Sequence, residues 1–123
     1  MGRASREKGK RGEREAAAEL GALLGVDARR GVQYHGGPDS PDVKLPGVRL
    51  HVEAKRTERL ALWSAVEQAA SDAPGDAVPV VWHRANGRDS VVIVDTRDLV
   101  RLAREVVRVV DGGAAGEQPA GPS

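Results

Sequence analysis

Hydrophobic residues recur along the chain with two periods, one typical of helices and one typical of strands. The helical period covers residues 12–25, 60–73 and 95–110. The side chains expected to form the buried stripes of these helices are Ala16, Leu20, Leu23 and Leu24; Leu62, Trp63, Val66, Ala69 and Ala70; and Leu99, Val100, Ala103, Val106, Val107 and Val110. Residues 1–10 show no such period, so we expect a basic, flexible arm before the first helix.

Alternation of apolar and polar residues marks the strands. In the clearest strand, residues 48–55, one apolar set faces a core, whereas Arg49, His51, Glu53 and Lys55 line the other face. The other strands are expected within residues 26–33, 42–45, 78–83 and 90–94.

Turn residues separate these strands. Pro46-Gly47 and Asn86-Gly87 each lie between two strand patterns and predict tight turns of hairpins. The Gly- and Pro-rich segment 36–41 is expected to be a loop. The resulting order of elements, α, β, β-β, α, β-β, α, predicts an α/β fold with a small mixed sheet flanked by helices.

The length and composition bound the class of protein. A chain of 123 residues with 40% hydrophobic and 30% charged residues is typical of one globular domain. We expect that domain to cover residues 11–110, with a disordered tail over residues 111–123. The absence of cysteine excludes disulfides, thiolate zinc sites and a cysteine nucleophile, and it fits a reducing compartment. With no long apolar run and no secretory signal pattern, the expected location is the cytoplasm.

Charge is distributed unevenly along the sequence. Residues 1–60 carry 13 Lys and Arg against 9 Asp and Glu, whereas residues 61–123 carry 6 against 9. A basic end on a nearly neutral protein favours contact with a phosphate backbone. A solvated arm without a partner is the alternative that charge alone leaves open.

Two carboxylates and a lysine form the candidate chemical site. If residues 42–45 pair with the next strand, Asp42 comes close to Glu53, and two such carboxylates repel unless a cation lies between them. Oxygen ligands of this kind suit Mg²⁺ or Mn²⁺, and Lys55 beside them would orient an attacking water, as metal-assisted phosphodiester hydrolysis requires. An ion pair between Glu53 and Lys55 on a solvated strand is the alternative. Asp39 is a rival ligand; Asp42 is preferred because a strand continues from it.

Three motifs occur in order along the chain: Arg11-Gly12-Glu13-Arg14-Glu15, Pro41-Asp42-Val43 and Glu53-Ala54-Lys55. They resemble the motifs of the PD-(D/E)xK nuclease superfamily, and within it those of the archaeal-type Holliday junction resolvases, a family that also has phage members. The first is similar to the family's helix opening, a small residue followed by Glu-Arg-Glu. The second and third resemble its Pro-Asp turn and its Glu-x-Lys strand.

The resemblance implies a restriction-endonuclease-like fold and a Mg²⁺-dependent endonuclease, with Mn²⁺ as a possible substitute. It implies a homodimer that nicks four-way DNA junctions symmetrically in a bacterial, archaeal or phage-infected cell. Asp42, Glu53 and the Ala54 carbonyl would hold the metal, Lys55 would position the water, and Glu13 would be an outer carboxylate. The residues that would contact DNA are Lys10, Arg11, Arg14 and Arg30. Gln68 is a possible accessory residue of the site.

Three other functions remain open from the sequence, of which one is a plain protein-interaction domain. Another is a restriction- or repair-type nuclease of the same superfamily that cuts other DNA substrates. The third is a non-catalytic DNA-binding module in which the carboxylates are structural. Among neighbouring residues, we expect His51 to be a partly exposed strand residue, His35 an ordinary loop residue, Trp82 and His83 packing residues, and Trp63 a core or dimer contact.

Overall fold

The structure is a computed structural model that describes residues 2–30 and 42–112. Its elements are α1 (Gly2–Leu24), β1 (Arg29–Arg30), β2 (Val43–Lys44), β3 (Leu50–Arg56), α2 (Leu62–Asp72), β4 (Val78–Arg84), β5 (Val91–Ile93) and α3 (Leu99–Gly112), with a 3₁₀ turn at Thr96–Asp98 before α3. The predicted α/β class and element order are confirmed. The predicted loop over residues 36–41, His35, Asp39 and the tail beyond Gly112 lie outside the described residues.

The five strands form one mixed sheet in the order β1-β2-β3-β4-β5. Strands β3 and β4 are parallel, and the other neighbouring pairs are antiparallel. The parallel pair requires a crossover, which α2 supplies. Gly47 and Gly87 have φ angles of 74° and 73°, which glycine adopts without a steric cost, in the two predicted turns.

Helices cover both faces of the sheet. Helices α1 and α3 pack on one face, where the buried core is Ala16, Ala17, Leu20, Leu24, Val43, Leu45, Val52, Val78, Val80, Trp82 and Val109. Helix α2 packs on the other face, where Ala65, Ala69 and Val81 are buried. The polar face predicted for β3 therefore lies beneath α2. No helix within the described ranges is long and apolar enough to cross a membrane.

Helix α1 begins ten residues before its predicted start. It starts at Gly2 instead of Gly12, although residues 2–11 have no apolar period. These residues include Ala, Lys, Arg and Glu, which favour helix without needing a packing partner. The helix prediction was wrong at this boundary because it relied on the period alone. The mobility expected of residues 1–10 stays a prediction.

The predicted buried stripes were wrong in part on all three helices. On α1, Leu23 is 69% exposed and Ala17 is buried instead. On α2, Leu62 and Trp63 are exposed, as is Ala70, and the helix approaches the sheet through the small residues Ala65 and Ala69. The pattern favoured the largest apolar side chains, whereas close packing on the sheet selected the small ones.

On α3, apolar residues lie on several sides, so the period does not determine which side is buried. The predicted Leu99, Val100, Val107 and Val110 are exposed, and so is Ala103. Of the predicted stripe, Val106 packs on the core, and the same side of α3 carries Leu102, Glu105 and Val109.

Candidate functional site

The candidate site lies where β2 begins beside the carboxyl-terminal half of β3. Val43 pairs with Val52 in the antiparallel ladder, and the backbone N–H of Asp42 donates to the carbonyl of Val52 at 3.1 Å. Continuing this register brings Asp42 opposite Glu53. The predicted pairing of residues 42–45 with the next strand is confirmed, whereas the approach of the two carboxylates stays a prediction.

The Asp42 side chain completes the edge of β3. Its Oδ2 accepts a hydrogen bond from the backbone N–H of Ala54 at 2.9 Å. Beyond Val43 the β2 ladder provides no further register pair, so the carboxylate supplies the acceptor that this N–H needs. The N–H and carbonyl of one strand residue point to the same side, so the Ala54 carbonyl also faces Asp42.

Glu53 is buried beneath α2 and bound to a histidine. Only 4% of Glu53 and 1% of His51 is exposed, and His51 Nε2 donates to Glu53 Oε2 at 3.1 Å. The expectation that His51 is partly exposed was wrong, because α2 covers this face of the sheet. The alternative of a solvated strand face is also wrong for Glu53.

Lys55 lies two residues further along the same face. Its Nζ donates to Oε1 of Gln68 on α2 at 3.3 Å, so the structure brings together two residues that the sequence analysis had singled out separately. Glu53 and Lys55 thus have different hydrogen-bonding partners, His51 and Gln68. Each of the two charged groups is oriented by a neighbour of its own.

Arg56 anchors α1 to the end of the site strand. The Arg56 Nε atom donates to Glu15 Oε1 at 3.0 Å, and Nη1 donates to Asn86 Oδ1 at 2.9 Å. A Cβ atom at Gly12 would lie 2.7 Å from the Cβ of Arg56. The small residue of the Arg-Gly-Glu-Arg-Glu motif is therefore needed for the contact between α1 and β3.

The structural roles of Arg56, Glu15 and Glu19 were not predicted from the sequence. Glu19 accepts hydrogen bonds from Trp82 Nε1, at 2.8 Å, and from the Ser90 hydroxyl, and these bonds lower its pKa. Only the assembled sheet brings these partners together from distant parts of the chain. The one available signal was the small residue at position 12.

The remaining predicted site residues lie on α1 and β1. Lys10, Arg11 and Arg14 are exposed on α1, as phosphate contacts must be. Glu13 is half-buried on the stripe that leads to Ala16 and Ala17. Its role as an outer carboxylate stays a prediction.

Arg30 pairs through its backbone with Val43, next to Asp42 in the sequence. This places β1 on the same side of the site as the start of β2. The predicted contact of Arg30 with phosphate is untested.

The donor set at this site fits a hard divalent cation. Asp42 and Glu53 supply carboxylate oxygens, and Ala54 supplies a carbonyl on the Asp42 side. Within the described ranges no three His, Asp or Glu side chains are grouped to bind a metal ion. A cation here would therefore depend on two carboxylates, and Mg²⁺ commonly binds one or two carboxylates and keeps several waters.

Comparisons with known proteins identify no relative. No protein-family model matches the chain, and neither a curated protein nor a solved structure does. A functional proposal for this chain therefore depends on its own residues and their geometry.

Proposed function

We propose that this protein is a Mg²⁺-dependent DNA endonuclease. The main support for this proposal is the hydrogen bond from the backbone N–H of Ala54 to the Asp42 carboxylate. Ala54 lies between Glu53 and Lys55, near the end of β3. The register that sets Asp42 opposite Glu53 supports the proposal, because two neighbouring carboxylates repel each other unless a cation lies between them. A restriction-endonuclease-like fold is part of this proposal, supported by the mixed sheet between helices.

The particular activity proposed is resolution of Holliday junctions by paired symmetric nicks. The ordered motifs on α1, β2 and β3, which resemble those of archaeal-type resolvases, support this choice over other nucleases. Two nicks related by a two-fold axis require two sites, so the proposed assembly is a homodimer, and two-fold dimers are the commonest oligomers. The exposed cations of α1 would bind phosphates without reading the base sequence.

In the proposed mechanism, Asp42, Glu53 and the carbonyl of Ala54 would hold Mg²⁺, for which Mn²⁺ is a possible substitute. A bound Mg²⁺ would supply Lewis-acid stabilisation of the charge that develops on the scissile phosphate. Lys55, held by Gln68, orients the attacking water and adds positive charge beside that phosphate. His51 fixes the orientation of the Glu53 carboxylate through their hydrogen bond.

Cleavage of a labelled synthetic four-way junction tests the proposal, beside the matching duplex, flap and single strand. We expect paired nicks on the junction in Mg²⁺. Asp42→Asn, Glu53→Gln and Lys55→Ala should each slow cleavage by at least about a hundredfold. Loss of a residue that only supports a metal ligand already costs up to about a hundredfold in activity. Junction binding, measured without metal, should persist in all three variants.

Glu67→Gln is the matched control, since Glu67 is exposed on α2 and the substitution removes the same charge. Cleavage at the normal rate by Glu53→Gln would refute the site assignment. Cutting of the other substrates in preference to the junction would favour a restriction- or repair-type nuclease. Junction binding without cleavage in any divalent metal would favour the non-catalytic DNA-binding module.

A further inference from the structure

Two loops at the carboxyl ends of the parallel strands are joined into one unit. One follows β3 and covers residues 57–61; the other follows β4 and covers residues 85–90. The backbone N–H of Asn86 donates to Glu58 Oε2 at 2.9 Å, and that of Thr57 donates to the carbonyl of Arg84 at 3.2 Å. His83 Nε2 donates to the carbonyl of Thr57 at 2.8 Å. These contacts hold the two loops in a fixed relation to each other and to β3.

Each loop carries an exposed arginine. Arg59 lies one residue beyond Glu58, and Arg88 lies two residues beyond Asn86. Neither guanidinium pairs with a carboxylate in the part of the chain that the structure describes. The acidic neighbour Glu58 is bound to Asn86, and the other acidic neighbour, Asp89, is exposed.

Cations at the opposite end of the sheet are in a different situation. There, Arg101 pairs with Asp98 at 2.9 Å, and Arg108 pairs with Glu105 at 2.6 Å. Those two arginines have their charge compensated by carboxylates of α3 and of the 3₁₀ turn before it, whereas Arg104 on α3 is exposed. The loop arginines instead extend the exposed positive charge of Lys10, Arg11 and Arg14, because Gly12 of α1 contacts Arg56 at the same end of β3.

We propose that Arg59 and Arg88 form a second phosphate-binding arm of the DNA site. Helix α1 approaches the end of β3 from one face of the sheet, whereas the loop over residues 57–61 leads to α2 on the other face. A DNA backbone that reaches the site near Lys55 is therefore contacted by cations from both sides. This inference rests on the proposed function and adds to it the surface that holds the substrate.

The test is the salt dependence of binding to a labelled four-way junction, followed by fluorescence anisotropy in EDTA so that no cleavage occurs. The Arg59→Ala/Arg88→Ala double variant should lose two phosphate contacts. The plot of log binding constant against log salt concentration should then become less steep, its slope smaller in magnitude by about 1.8. The matched control is Arg97→Ala/Arg104→Ala at the α3 end, which removes the same charge and should leave the slope unchanged. Arg59→Lys/Arg88→Lys should retain the wild-type slope, since it keeps both charges.

An equal effect of the loop variant and the α3 control would overturn the inference, because only net charge would then matter. A wild-type slope in the Arg59→Ala/Arg88→Ala variant would also overturn it. If the wild-type protein cleaves the junction, either result leaves the proposed nuclease function intact. If the wild-type protein binds no DNA, the proposed function fails, and this inference fails with it.

Discussion

Single residues determine how closely α1 approaches the sheet. Gly12 leaves room for the side chain of Arg56, which bonds to Glu15 one turn further along the same helix. The resulting contact holds α1 against the strand that carries Glu53 and Lys55. Gly12 is thus linked to Glu53 and Lys55 only through the packing of α1 against β3.

Gly12→Ala is expected to destabilise the fold by about 1–3 kcal/mol, the usual cost of overpacking. In an open helical position the same change stabilises by roughly 0.5–1 kcal/mol. Gly112→Ala is the matched control, because nothing lies within 4 Å of a Cβ at that helical glycine. Urea unfolding of both variants measures the difference. Stabilisation by Gly12→Ala would mean that the close contact with Arg56 does not persist in solution.

Among the elements, α3 is joined to the sheet by a buried carboxylate. Glu105 is 7% exposed, and its Oε2 accepts from the backbone N–H of Arg49 at 2.7 Å and from Arg108 Nη2 at 2.6 Å. Arg108 Nη2 also donates to the carbonyl of Gly47 at 2.7 Å. This network attaches α3 to the turn before β3 and accounts for which side of the helix is buried.

Glu105→Gln is expected to lower the free energy of unfolding by about 1–3 kcal/mol near neutral pH, because the backbone N–H of Arg49 and the Arg108 guanidinium lose a charged acceptor. The hydrogen bonds from Arg108, followed by that from Arg49, hold the pKa of Glu105 below its ordinary value of 4.5. Because the pKa of Glu105 is lower in the folded state, its ionisation stabilises the fold at any pH above the unfolded-state pKa. This stabilisation is lost as the pH falls through the folded-state pKa.

Urea unfolding of wild type and Glu105→Gln at about pH 7 and about pH 3 checks the sign of this linkage. The difference between the two proteins should be larger at the higher pH. Glu67→Gln serves as the exposed control and should change little at either pH. A difference for Glu105→Gln that grows on acidification would contradict the role of the ionised carboxylate.

For the whole molecule, the main feature is the separation of charge between the two ends of the sheet. The amino-terminal helix and the two linked loops present exposed cations at one end. At the other end, carboxylates of α3 and of the turn before it compensate neighbouring arginines. A nearly neutral chain can therefore offer a positive surface to a polyanion.

Removal of residues 1–10 is expected to weaken junction binding and flatten its salt dependence, because basic residues of α1 are lost. The fold should persist, since the truncated protein keeps Gly12 and the buried Ala16, Ala17 and Leu20, through which α1 packs on the sheet. Anisotropy titrations at several salt concentrations and thermal unfolding test both parts. An unchanged salt slope would favour the alternative of a solvated segment without a partner.

Local sequence patterns were enough to predict the α/β class, the order of elements, the two turns and the pairing that sets Asp42 opposite Glu53. These features depend on local rules: side-chain periodicity, glycine in turns and short connections between paired strands. They were predictable because each is encoded within a few consecutive residues. The three motifs at residues 11–15, 41–43 and 53–55 are also short patterns of consecutive residues.

Which helix faces are buried and what surrounds the site depend instead on contacts between distant parts of the chain. Ala65 and Ala69, rather than Trp63, face the sheet, because close packing depends on the shape of the opposing surface. His51 became a buried partner of Glu53 because α2 covers that face. The linked loops with Arg59 and Arg88 depend on contacts between residues almost 30 positions apart, which no local pattern encodes.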